Sequence, residues 1–115
     1  MKRFSGGVGV QQGQRILFSD FAHDGPMWTG VGPREVRQTQ AFPEPFLAPP
    51  AVMVNVSMWD IDHKSNSRVD ISAENITPDA FQIVFRTWGD TNIARIRADW
   101  LAIGQLKDDD AWDVT

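Results

Sequence analysis

The chain has 115 residues, 42% hydrophobic and 23% charged, which fits one compact domain and excludes a disordered chain. Fifteen acidic against eleven basic residues leave a net charge of −4, which argues against a general nucleic-acid or anionic-membrane binder, and no stretch approaches the ~20 apolar residues of a spanning helix. With no cysteine, disulfides, thiolate metal sites and cysteine nucleophiles are excluded; five Trp and seven Phe, with no Tyr, leave stability to an aromatic core or to oligomerisation.

Residues 1–14 are expected to form an N-terminal segment leading into the first strand. Met1-Lys2-Arg3-Phe4 starts basic without an apolar stretch behind it, so it is not expected to act as a secretory signal, and the compartment stays open. Gly6-Gly7-Val8-Gly9-Val10 lacks the Lys-Ser/Thr and helix start of a phosphate loop and reads as a flexible terminus. A weak strand follows at Arg15–Phe18. A mostly polar one runs from Val36 to Phe42, where Arg37, Gln38, Thr39 and Gln40 leave no clean apolar face and so mark a sheet edge or an oligomer contact. Pro43, Pro45, Pro49 and Pro50 isolate Phe46-Leu47.

Four clearer strands come next. Val52, Val54, Val56 and Met58 alternate with Met53, Asn55 and Ser57, and Val69, Ile71 and Ala73 alternate with Arg68, Asp70, Ser72 and Glu74. Between them, Asp60 to Ser67 reads as a hydrated hairpin loop. Phe81, Ile83 and Phe85 take the core side of their strand against Gln82, Val84 and Arg86, and Ala94, Ile96, Ala98, Trp100 and Ala102 take one side of the last. No window carries helical periodicity. The expected fold is therefore all-β, a six-stranded antiparallel β-sandwich over residues 15–106. Residues 107–115 are expected to be a solvated acidic tail, with Trp112 as a residue for docking on a neighbouring protomer.

Catalytic chemistry finds little support. His23 and His63 are the only histidines, and neither is near a Gly-x-Ser-x-Gly turn. Asp60, Asp62 and His63 hint at a metal site, but Lys64 and Arg68 stand where oxygen ligands are needed, so neither metal nor cofactor is expected. Asn55-Val56-Ser57 and Asn75-Ile76-Thr77 match the glycosylation pattern and read as accidental without a signal. Trp88 is more informative. Alternation from Phe81 puts it on the Gln82/Arg86 side, at the strand end before Gly89-Asp90, where a flat π-face suits the C–H face of a sugar ring. Arg68 falls on the wet face at the start of its own strand, with five donors suited to hydroxyls or to a carboxylate. The alternatives are a tryptophan packed between subunits and an arginine in a surface ion pair.

Several blocks, in order, resemble the H-type lectin domain, the family of the snail agglutinins and of the C-terminal domain of discoidins. They are Arg34-Glu35-Val36 leading to Phe42, with Phe46 and Pro49-Pro50; then Asp60 to Arg68-Val69; then Asn75-Ile76-Thr77, Phe81, Thr87-Trp88-Gly89-Asp90-Thr91 and Trp100-Leu101-Ala102-Ile103-Gly104. The resemblance implies a trimer of six-stranded sandwiches, without enzymatic activity, that recognises N-acetylgalactosamine or galactose-type glycans in clefts between subunits. It implies sugar-contacting roles for Arg68 and Trp88, beside Gly89 and Asp90. The animal members carry a histidine where this chain has Gly89, a tyrosine where it has Ala94, and an acid near Val31. Asp24 or Asp90 is the candidate replacement for that acid, and Trp28 the candidate aromatic wall. The second expectation is a structural or interaction domain of a particle or surface assembly, built on the same trimer with a degenerate sugar site. Beyond glycans and sister subunits, singly or as a dimer of trimers, neither nucleic acid nor membrane insertion is expected.

Overall fold

Alternating apolar residues turn one face of each strand inward, and the described chain folds into seven strands: β1 (Lys2–Phe4), β2 (Val8–Ser19), β3 (Arg34–Ala41), β4 (Ala51–Ile61), β5 (Asp70–Glu74), β6 (Ala80–Thr87) and β7 (Ile93–Gln105). A 3-10 turn at Phe21–His23 and one helical turn, α1 (Pro26–Thr29), connect β2 to β3. The computed structural model describes residues 1–4 and 7–107; the expected acidic tail, from Asp108 on and including Trp112, lies outside them. No helix among the described residues is long and apolar enough to cross a membrane.

The strands form two antiparallel sheets, one ordered β1-β2-β7-β4 and the other β3-β6-β5. Their inner faces close on Ile83, Phe85, Ile96, Ala98, Trp100 and Ala102, which makes the expected β-sandwich. One end is sealed by rings. Phe42 lies 5.4 Å from Phe81 and 6.0 Å from Trp100, and Phe46 meets Phe42 edge-on at 5.1 Å. The proline-bounded Phe46 is thus a core plug, held by its N–H donating to the Pro78 carbonyl. The polar β3 occupies an edge of its sheet, one of the two positions its composition suggests.

Three expectations need correction. Composition predicts a flexible terminus through Val10 and a strand starting only at Arg15, yet β2 starts at Val8 and pairs with β7 along its length. Its inner face carries Gly9, Gln11 and Gly13 instead of aliphatic residues. A Cβ on Gly13 would stand 2.8 Å from the Trp100 indole nitrogen, so the missing side chain makes room for the ring. Gln11 is buried, donating to the Glu44 carbonyl at 2.7 Å and accepting its N–H at 3.2 Å. Pairing of β1 to β2 adds a short seventh strand to the expected sandwich.

The segment after Asp60 is not a hairpin loop: β4 and β5 belong to different sheets, so it crosses between layers, and Asp60 itself lies within β4. Val84, expected on the wet side, is fully buried, because the central strand sets it between Arg37 and Ser72 on its neighbours.

Candidate functional site

The pairing registers bring the site together. Asp70 pairs with Arg86 and Glu35 with Arg86, all on the outer face of the three-stranded sheet. Continuing both registers by two residues sets Arg68 and Pro33 on either side of Trp88. Trp88 is 45% exposed and borders a concavity of about 290 Å³ lined also by Pro33, Arg34, Glu35, Arg86 and Thr87.

Two buried threonines hold Arg68. Thr87 donates its hydroxyl to the Arg68 carbonyl at 2.5 Å, and Thr91 accepts the Arg68 N–H at 3.1 Å while donating to the Asn66 carbonyl. Replacing Thr91 by valine keeps its shape but removes both hydrogen bonds, leaving partly buried backbone groups without this partner. The expected loss is about 1–3 kcal/mol of stability in urea unfolding, with a slope unchanged from wild type.

The Arg68 guanidinium then pairs with the Asp90 carboxylate. Gly89 stands between Trp88 and Asp90 with φ of +70°, and a Cβ there would lie 3.0 Å from Arg68 Nη1. A side chain at 89 would be strained by the positive φ and would crowd the guanidinium by a few tenths of an ångström.

Arg34 fixes the other flank. It donates to Gly32 O at 2.9 Å, Gly89 O at 3.2 Å, Met27 O at 3.3 Å and Pro26 O at 3.4 Å, so one side chain joins α1 to the Trp88–Gly89 turn. Burial draws its pKa below the usual arginine value. The Asn92 amide, oriented to satisfy its nitrogen, adds bonds to Trp28 O at 3.1 Å and Gly30 O at 3.3 Å. Nothing in composition marks Arg34 as a clamp, since all of its partners are backbone carbonyls.

Charges beside Trp88 compensate one another. Glu35 accepts from Arg86 at 2.9 Å and from Arg37 at 3.4 Å, and Glu74 meets the same two arginines at 2.9 and 3.3 Å. The Arg86 hydrogen bond holds Glu74 below the usual carboxylate range, and Glu74 in turn raises Arg86. Sequence reasoning misses Glu35 and Arg86 as site residues, although alternation from Trp88 leads directly to Arg86.

The Arg68 hydrogen bond likewise lowers Asp90. A carboxyl with a depressed folded pKa contributes stability above its unfolded value and loses it as pH falls through the folded one. The pair is therefore expected to persist unchanged from about pH 8 to 5 and to fail only below about pH 4. Circular dichroism melts across that range check this.

Four of the six expected site residues thus gather within one protomer: Arg68, Trp88, Gly89 and Asp90. Trp28 and Asp24 lie elsewhere. Trp28 borders a different concavity, 5.0 Å from Phe21. Asp24 ends the 3-10 turn with φ of +50°, and its carbonyl accepts the Thr29 hydroxyl. Among the described residues no group of three or more His, Cys, Asp or Glu is placed to hold a metal.

Comparisons with known proteins agree on a family. The H-type lectin domain matches residues 37–103. A Fuscovulum blasticum protein named ATP synthase subunits region ORF 7 is 67% identical over 114 residues, 99% of each chain. A discoidin-1 chain of Dictyostelium discoideum is 35% identical over 75 residues, which cover 64% of this chain and 30% of that one. The structure of recombinant discoidin II from the same organism superposes with a TM-score of 0.76 at 25% identity, covering 93% of this chain and 40% of that one. The chain therefore spans less than half the length of these discoidins.

Proposed function

The chain belongs to the H-type lectin domain family, and on that premise we propose that it binds N-acetylgalactosamine or galactose-type glycans, without catalysis, at a site centred on Trp88 and Arg68. The observation that carries this reading is the placement of Trp88. A half-exposed indole borders a concavity lined by Pro33, Arg34, Glu35 and Arg86, with Arg68 on the other side of the indole by register. The indole suits the apolar face of a pyranose, and the partly exposed charged groups suit its hydroxyls.

We propose further that three copies assemble. Support comes from the outer face of the four-stranded sheet, where Val8, Ile16, Met53 and Ile103 are 37–57% exposed in the single chain. The registers put Val10, Ile103 and Ala51 in one row and Gln12, Leu101 and Met53 in the next. Asp99 Oδ1, buried without a hydrogen-bond partner, lies on the same face. The apolar end of this face calls for a covering partner, whereas the outer face of the other sheet is filled by ion pairs. Three weak sugar sites on one particle would then gain avidity.

A second reading, a structural or interaction domain with a degenerate site, draws support from Gly89. A side chain there would be strained at a φ of +70° and would press on the Arg68 guanidinium, so the histidine of the animal lectins fits only if the guanidinium gives way. A glycan array separates the two. The lectin reading expects wild-type protein to bind galactose-type glycans, with signal lost in Trp88→Ala. A blank array from a folded trimer favours the structural domain.

A further inference from the structure

A separate concavity of about 370 Å³ shares no residue with the one at Trp88 and is lined by Phe21, Trp28, Ser19, Asp60, Ala94 and Arg95. It is built by register. Ser19 pairs with Arg95, and Arg95 with Asp60, so the three form one row across β2, β7 and β4 at the end of the four-stranded sheet. The chain leaves β2 at Ser19, and the turns that follow bring Phe21 and Trp28 to this row. The two rings meet edge-to-face, centroids 5.0 Å apart at 73°, and make an aromatic corner. Phe21 is 60% exposed, so its ring is open to a ligand in the concavity.

The polar wall has a matching character. Arg95 Nη2 lies 3.5 Å from Asp60 Oδ2, and both side chains remain more than half exposed, so each keeps free donors or acceptors. The two charges cancel. An anion or a cation gains little from a neutral pair, whereas a neutral polyol gains acceptors from the carboxylate and donors from the guanidinium. Ala94 contributes only a methyl group to the lining, and the volume is of the order that small-molecule sites take.

We propose that this concavity is a second saccharide-binding site on each protomer, taking one neutral hexopyranose with its C–H face against Trp28 and Phe21 and its hydroxyls on Asp60 and Arg95. The site is complete within one chain and works independently of Trp88. Two sites per protomer would let each one hold two residues of a branched glycan or two separate chains.

Indole N–H resonances test this, because they report Trp28 and Trp88 separately once each is assigned by a Trp→Phe variant. The probes are methyl α-galactopyranoside, methyl α-glucopyranoside and inorganic phosphate, titrated into wild type and Trp88→Ala. The expected result is a saturable Trp28 shift with at least one glycoside that survives Trp88→Ala. Phe21→Ala or Asp60→Asn should weaken it about tenfold, the effect of one lost stacking or charge-assisted contact. A Trp28 signal that stays still with both glycosides overturns the proposal, and if Trp88 shifts in the same titration the Trp88 site stands without it. A Trp28 shift that disappears in Trp88→Ala, or one that phosphate reproduces equally well, also overturns it.

Discussion

Phe46→Ala is expected to remove about 3–5 kcal/mol of stability, a large part of the ~5–15 kcal/mol that holds a domain of this size. Phe46 is fully buried, its ring meets Phe42 edge-on, and the Gly104 backbone approaches so closely that a Cβ there would lie 2.9 Å from the ring. Truncation would leave a cavity with rigid walls on three sides: the ring of Phe42, the β7 backbone at Gly104, and Pro50. Such a pocket relaxes poorly, which places the cost at the high end of core truncations. The neighbouring Leu47 is 49% exposed, and Leu47→Ala should cost less than about 1 kcal/mol. Urea unfolding of the two variants gives the contrast directly. Near-equal losses would mean that Phe46 does not plug the core.

The second large effect concerns assembly. Met53→Asp combined with Ile103→Asp places two carboxylates on the outer face of the four-stranded sheet, where both residues are exposed in the single chain and outside the core. The fold should tolerate them, because neither side chain packs inward. A trimer interface on that face would not, since each carboxylate would be desolvated opposite an apolar partner. Light scattering should show the mass falling from about three times 12.9 kDa to a single 12.9 kDa chain. Retention on a multivalent galactose surface should drop by about 10²–10⁴-fold through lost avidity alone. An unchanged mass in the double variant would remove this face from the assembly.

Much of this architecture is legible from alternation. Val52 to Val56, Ile71 and Ala73, Phe81 to Phe85 and Ile96 to Ala102 each show period two because one face of each strand meets the core, whereas a bulge sets Met58 opposite Arg97 and Val69 stands exposed ahead of β5. The start of β2 hides for a physical reason. Its inner positions must be small or polar, to admit the Trp100 indole and to bond the Glu44 backbone, so Gly13 and Gln11 stand where apolar residues would have announced a strand. Val84 shows the opposite limit. On a central strand even the outward side chain is covered by neighbours, and alternation no longer reports exposure.

The candidate site divides along the same lines. Trp88 and Arg68 can be found because residues on one face of adjacent strands become neighbours, and the family resemblance points to the same pair. Gly89 is conspicuous only after its φ of +70° and its contact with Arg68 are known. The Arg34 clamp is invisible in sequence, because its partners are four backbone carbonyls brought together by the fold. Trp28, expected as an aromatic wall beside Trp88, borders a different concavity within one protomer, because the turns after β2 carry it to the end of the other sheet.

Because Trp88 is half exposed whereas Trp100 is only 5% exposed, sugar stacking at Trp88 should change the emission of that indole, the contribution that Trp88→Ala removes. Titrating wild type and Trp88→Ala with N-acetylgalactosamine is therefore the most direct test of sugar recognition at Trp88. A saturable change in wild type that is clearly smaller in Trp88→Ala, while both proteins melt alike, is the result expected, any change left in the variant belonging to Trp28. No change in wild type at saturating sugar, or an equal change in the variant, would contradict it.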